Sequence, residues 1–80
     1  MLDLREKSKV VGAKQTKRAL QERRASTVYI ADDCEQKVVA AILELCSQQG
    51  VPVVHMETMD ALGRACGVRV GAAVAALLEE

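Results

Sequence analysis

The segment Gly12-Ala13-Lys14-Gln15-Thr16-Lys17-Arg18 concentrates the residue types best suited to binding chemistry. A glycine at a strand-to-helix turn leaves backbone N–H groups unpaired at the positive end of the helix, an arrangement that takes up anions. Lys14 and Arg18 stand one helical turn apart on the same side, and Gln15 adds an amide that both donates to and accepts from a base edge. The chemistry on offer is recognition of phosphate and base. A nucleotide P-loop is not expected, because the first glycine and the spacing of Gly-x-x-x-x-Gly-Lys-Ser/Thr are missing.

Other reactive residues read as structural. His55, the only histidine, falls in an apolar strand and reads as a partly buried packing residue without a second ligand or a nucleophile beside it. Asp32 and Asp33 precede a helix and read as its N-caps, with Glu35 or Gln36 completing a capping box. Cys34, Cys46 and Cys66 are odd in number and lack a Cys-x-x-Cys, so free thiols are expected, with neither a disulfide framework nor a zinc site. Tyr29 alternates with Val28 and Ile30 and is expected in the core. No general base with an orienting partner is visible, so an enzyme is not expected.

The elements that position these residues alternate along the chain. Leu2 to Ser8 reads as a short opening helix, Lys9 to Val11 as a brief strand ending at Gly12, and Ala13 to Arg24 as a polar helix turned inward through Ala13, Thr16, Ala19 and Leu20. Ser26 breaks that helix, and Thr27 to Ala31 has the β-branched and aromatic make-up of a buried strand. Cys34 to Gln49 is helical, with Val38, Ile42 and Leu45 on one stripe, Val39, Leu43 and Cys46 beside it, and Gly50 as its C-terminal cap. Val51 to Met56 forms a short strand with Pro52 at its entry or on an edge. Thr58 caps a helix that Gly67 stops, and Val68 to Gly71 is a loop. The closing run, Ala72 to Leu78, is open between helix, which alanine favours, and a strand of a sheet buried on both faces. The alternation predicts an α/β protein: a three-layer α/β/α sandwich around a small mixed central sheet, one domain over residues 1–80.

Composition agrees with one domain that folds. The chain has 80 residues, 50% hydrophobic and 28% charged, but a single Tyr and no Phe or Trp. Aromatic scarcity argues against modules that bind RNA by stacking bases on several rings. The net charge is +0, yet the charges are sorted. Residues 1 to 24 carry eight basic against three acidic side chains, leaving +5, and the remainder carries three against eight, leaving −5. A basic third of this kind either faces a polyanion or is merely solvated. Without a signal-like segment or a long apolar run, the protein is expected in the cytoplasm, as a monomer with no membrane partner.

The same residues resemble a known family. Gly12-Ala13-Lys14-Gln15-Thr16-Lys17-Arg18 is similar to the Gly-x-Asn-Glu-x-Thr-Lys signature of the kink-turn RNA-binding ribosomal proteins of the L7Ae and L30e type. Val28 to Asp33 resembles that family's Val-Val-Ile-Ala-Glu-Asp, Gly50-Val51-Pro52 its Gly-Ile-Pro, and Leu62 to Gly67 its Leu-Gly-Lys-Ala-Cys-Gly. The matches keep their order along almost the whole chain. The resemblance implies the α/β/α sandwich and implies that the first turn after Gly12 enters the groove of a sharply bent RNA at tandem sheared G·A pairs. Lys14 and Gln15 occupy the asparagine and glutamate positions and Arg18 the lysine position, and short bacterial members carry the same Lys-Gln pair. It also implies that Val68-Arg69-Val70 covers a base flipped out at the bend, whereas the residues alone read as a tight connection.

The expected RNA-binding residues are therefore Gly12, Lys14, Gln15, Lys17, Arg18, Val68, Arg69 and Val70. The expected partner is structured RNA with a kink-turn, in ribosomal or leader RNA, with ribosome association as a further expectation and no cofactor or metal. The alternative is a protein-interaction module docking through its acidic surface.

Overall fold

A computed structural model describes Leu4 and residues 8–79. Four strands and three helices follow one another as β1 (Lys9–Val11), α1 (Ala13–Gln21), β2 (Ala25–Ala31), α2 (Gln36–Gln49), β3 (Val53–Met56), α3 (Met59–Cys66) and β4 (Val74–Leu78). The sheet runs β1-β4-β2-β3, with β2 and β3 parallel and the other pairs antiparallel, so it is mixed as expected.

Alternation along the two central strands builds both layers of core. Val28 and Ile30 of β2 and Val74 and Ala76 of β4 pack with Ala19, Leu20, Val39, Ile42 and Cys46, which puts α1 and α2 on one face. Tyr29, Ala31 and Ala75 pack with Leu62 and Cys66 of α3 and with Leu4 on the other. The closing run is a strand because β4 lies between β1 and β2 under helices on both faces, where Ala75 and Ala76 are each 1% exposed. Close packing there outweighs the helical preference of alanine.

Several local expectations change. α1 ends at Gln21 and β2 already begins at Ala25, so Ser26 lies inside the strand, where its hydroxyl donates to the Leu77 carbonyl at 3.2 Å. The buried stripe of α2 is Val39, Ile42 and Cys46, one residue round from the expected one, and Val38 is exposed. Glu35, without a side-chain bond, occupies the N-cap of α2. Asp33 instead accepts from the Met59 N–H at 2.8 Å at the start of α3, because the end of β2 stands beside it in the folded sheet. His55 is not a packing residue: β3 is an edge strand, and His55 Nδ1 meets Asp32 Oδ1 at 2.8 Å with both side chains 57% exposed. The helix expected over Leu2–Ser8 lies outside the described residues except for Leu4 and Ser8. Gly50, in left-handed conformation, and Thr58, whose hydroxyl accepts from the Ala61 N–H at 3.0 Å, are the caps anticipated.

Candidate nucleic-acid interface

The C-terminal ends of β1 and β2 and the start of β4 meet at one end of the sheet. The Gly12 N–H donates to the Val74 carbonyl at 2.8 Å, Ala31 N–H to Ala73 at 2.9 Å, and Asp32 N–H to Met56 at 2.8 Å. These bonds fix the entry to α1, the approach to β4 and the end of β3 as one platform.

On it, Gly12 takes φ 108 and ψ 154, a backbone region that is essentially glycine's own. That conformation turns the chain from strand into helix within one residue. The first intrahelical bond runs from Thr16 N–H to the Gly12 carbonyl at 3.0 Å, no side chain caps the helix, and its first turn holds no acidic residue. The N–H groups of Ala13, Lys14 and Gln15 therefore find no acceptor among the described residues. Thr16, Ala19 and Leu20 are buried, which leaves Lys14, Gln15, Lys17 and Arg18 exposed around a positive helix end. The Thr16 hydroxyl is itself without a partner among the described residues.

The Val68-Arg69-Val70 loop runs from α3 toward the start of β4, whose Val74 is bonded to Gly12. Val68 N–H donates to the Gly63 carbonyl at 3.0 Å and Ala72 N–H to the Met59 carbonyl at 3.0 Å, so both ends of the loop are tied to that helix. A Cβ on Gly63 would collide with the Val70 carbonyl, and one on Gly71 would come within 3.1 Å of Met59 Cβ. Held down by its backbone, the loop presents its side chains outward: Arg69 is exposed and Val70 is 74% exposed. Val70 is not a core residue leading into β4. The expected site residues thus fall into two groups, one at the entry to α1, which is bonded to Val74 at the start of β4, and one in the loop that leads into β4, each offering what its own chemistry supplies: free amides and cations at α1, apolar surface and one cation at the loop.

Sequence alone points neither to Asp33 as a second acceptor at the start of α3, where Thr58 is the N-cap, nor to Gly63 as the seat of the loop. A glycine in the middle of a helix was the available signal for the second, since it disfavours the helix unless close packing requires it. At the other end of α1, Glu22 is bracketed by Arg24 and Arg18, which hold its carboxyl below the ordinary carboxylate value, Arg24 foremost. All three cysteines are free, and burial pushes the Cys46 and Cys66 thiols up.

Residues 2–80 match the ribosomal protein L7Ae/L30e/S12e/Gadd45 family. The chain belongs to that family. It is 50% identical over 68 residues to the RNA-binding protein TTE2299 of Caldanaerobacter subterraneus, covering 85% of this chain and 83% of the relative. It is 37% identical to the large ribosomal subunit protein eL8 of Halobacterium salinarum, across 84% of this chain but 57% of that protein. In three dimensions it resembles the Giardia lamblia 15.5kD RNA binding protein with a TM-score of 0.85 at 31% identity, covering 91% of this chain and 62% of the Giardia chain. Among the described residues no helix is long and apolar enough to cross a membrane.

Proposed function

We propose that this family member is a non-enzymatic, cytoplasmic RNA-binding protein that recognises kink-turn RNA. The observation that most supports this reading is the uncapped first turn of α1, whose Gly12 N–H is bonded to Val74 at the start of β4, the strand into which the exposed Val68–Val70 loop leads. A bent RNA has two features to be met at once, and each half of the platform suits one of them.

At the bend, base edges of sheared G·A pairs face the α1 turn. Gln15 accepts from a guanine through its oxygen while its NH₂ group donates elsewhere, and Lys14 suits phosphate or guanine O6. Lys17 and Arg18 add attraction to phosphates that carries no sequence information. Val68 and Val70 give a base extruded at the bend an apolar surface, and Arg69 pairs with phosphate or stacks on that base. Because both sets of contacts exist only in the bent form, binding shifts the RNA population toward it by the difference in affinity for the two shapes. Ribosomal RNA is the first class of partner to examine, given the similarity to a large ribosomal subunit protein, with structured leader RNA next.

Gln15→Ala tests the reading. It is expected to cost about 1–3 kcal/mol of affinity for a kink-turn hairpin, because a base-edge contact goes and its partner is left unpaired. Lys17→Ala is expected to weaken kinked and straight RNA by similar factors. Equal losses on the two RNAs for Gln15→Ala would sink the assignment.

A further inference from the structure

The C-terminal end of α1 carries a second group of cations, about 12 Å along the helix axis from Gln15. The chain leaves the helix through two reversed bonds, Arg24 N–H to the Ala19 carbonyl at 2.9 Å and Arg23 N–H to the Leu20 carbonyl at 3.0 Å, with Arg23 at φ 57. This is the terminating turn in which glycine is the ordinary occupant of the left-handed position, since any Cβ is disfavoured there. Among the described residues Arg23 is the only non-glycine with positive φ, and its side chain is exposed with no ion pair to explain it.

Beside it, Arg24 Nη1 lies 3.0 Å from Glu22 Oε1 and Arg18 Nε lies 3.5 Å from Glu22 Oε2. One carboxylate thus gathers two guanidinium groups onto the outer side of α1. Their side chains remain 56% and 76% exposed, so N–H groups are left for another acceptor. Lys14, Lys17, Arg18, Arg23 and Arg24 against Glu22 leave four net positive charges on this flank, while Thr16, Ala19 and Leu20 face inward. Favourable interaction with the helix dipole accounts for cations near this terminus, but not for an arginine at the one position where glycine fits better.

We propose that this flank extends the RNA interface: the phosphates of one stem leaving the bend lie along the outer side of α1, from Lys14 to the Arg23–Arg24 turn. The inference rests on the RNA reading above. Each nucleotide of a stem strand carries one negative charge, so the four net positive charges spread over ~12 Å of helix flank are complementary in sign to a short run of stem phosphates. The contact is to backbone, so it selects for stem length and not for sequence.

Arg23→Gly is the decisive variant because it removes the charge while relieving the backbone. The measurements are its melting temperature and its affinity, over a series of salt concentrations, for two kink-turn hairpins: one with an extended stem and one whose stem stops just past the bend. The expected result is an unchanged or raised melting temperature, a three- to tenfold loss on the long-stem hairpin with a salt slope lowered by about one, and little change on the short one. The double variant Arg23→Gly with Arg24→Gln is expected to deepen the loss on the long stem only. Equal affinity of Arg23→Gly and the unaltered protein on the long stem, or equal losses on both hairpins, would overturn the extended interface. Gln15→Ala is measured in parallel: if it weakens binding while Arg23→Gly does not, this inference fails alone, and if neither changes binding, the RNA reading fails with it.

Discussion

At the entry to α1, Gly12 adopts φ 108 with nothing within 4 Å of where a Cβ would stand, whereas Gly63 has helical backbone and a Cβ there would run into the Val70 carbonyl. Both glycines serve one platform. The first provides a conformation, turning the strand so that a helix end with free amides faces outward. The second provides space, letting the loop lie so close to α3 that its backbone is anchored and its side chains are not. The two regions are thus held in their conformations for different physical reasons. Each should fail in its own way.

The largest effect is expected at Gly63. Alanine there must displace backbone and not the tip of a flexible side chain, so Gly63→Ala should destabilise the fold by about 1–3 kcal/mol, and any fraction that folds should carry a shifted loop. Chemical denaturation checks the first part, and loss of hydrogen-exchange protection at the Val68 and Ala72 amides checks the second. Protection retained at both would show that the loop does not depend on close approach to α3.

Gly12→Ala comes next, at about 1–2 kcal/mol, and through strain alone because the surrounding space is open. Denaturation should show the loss with the slope against denaturant unchanged. A variant as stable as the parent would mean that the turn relaxes and that the glycine is not required for its backbone.

Val70→Asp sharpens the contrast without disturbing either anchor. With the side chain 74% exposed, the melting temperature should hold within a few degrees, while a carboxylate against nucleobase and phosphate should lower RNA affinity at least tenfold, or about 1.4 kcal/mol. Paired thermal melts and titrations separate the two effects. A collapsed melt would make Val70 a packing residue after all.

How far these regions were legible in the sequence follows from what holds them. The α1 entry could be read directly, because glycine before a run of helix formers is a local signal and the exposed cations repeat at helical spacing. The loop could not be read from its own residues, since two valines and an arginine fit a tight connection equally well. Its fixing partners, Gly63 and Met59, belong to another element. Asp33 failed for the same reason: a local rule assigns it to the helix that follows in sequence, and the sheet brings it to the one that follows in space. His55 stands outside the core because β3 is an edge strand, which an apolar run of residues does not announce. The layers, by contrast, came through intact, because the alternation of Val28, Tyr29 and Ile30 between two cores is written into period two.

Joint action of the two regions on a bent RNA can be checked in a single titration. The unaltered protein is measured against a kink-turn hairpin and an unbent duplex of equal length over 50 to 200 mM salt. Markedly tighter binding to the hairpin is expected at every salt concentration, with log K falling against log salt at a slope near −3 if roughly four phosphates are contacted. Equal affinity for the two RNAs, or a flat response to salt, would contradict it and return the basic flank to the role of a solvated surface.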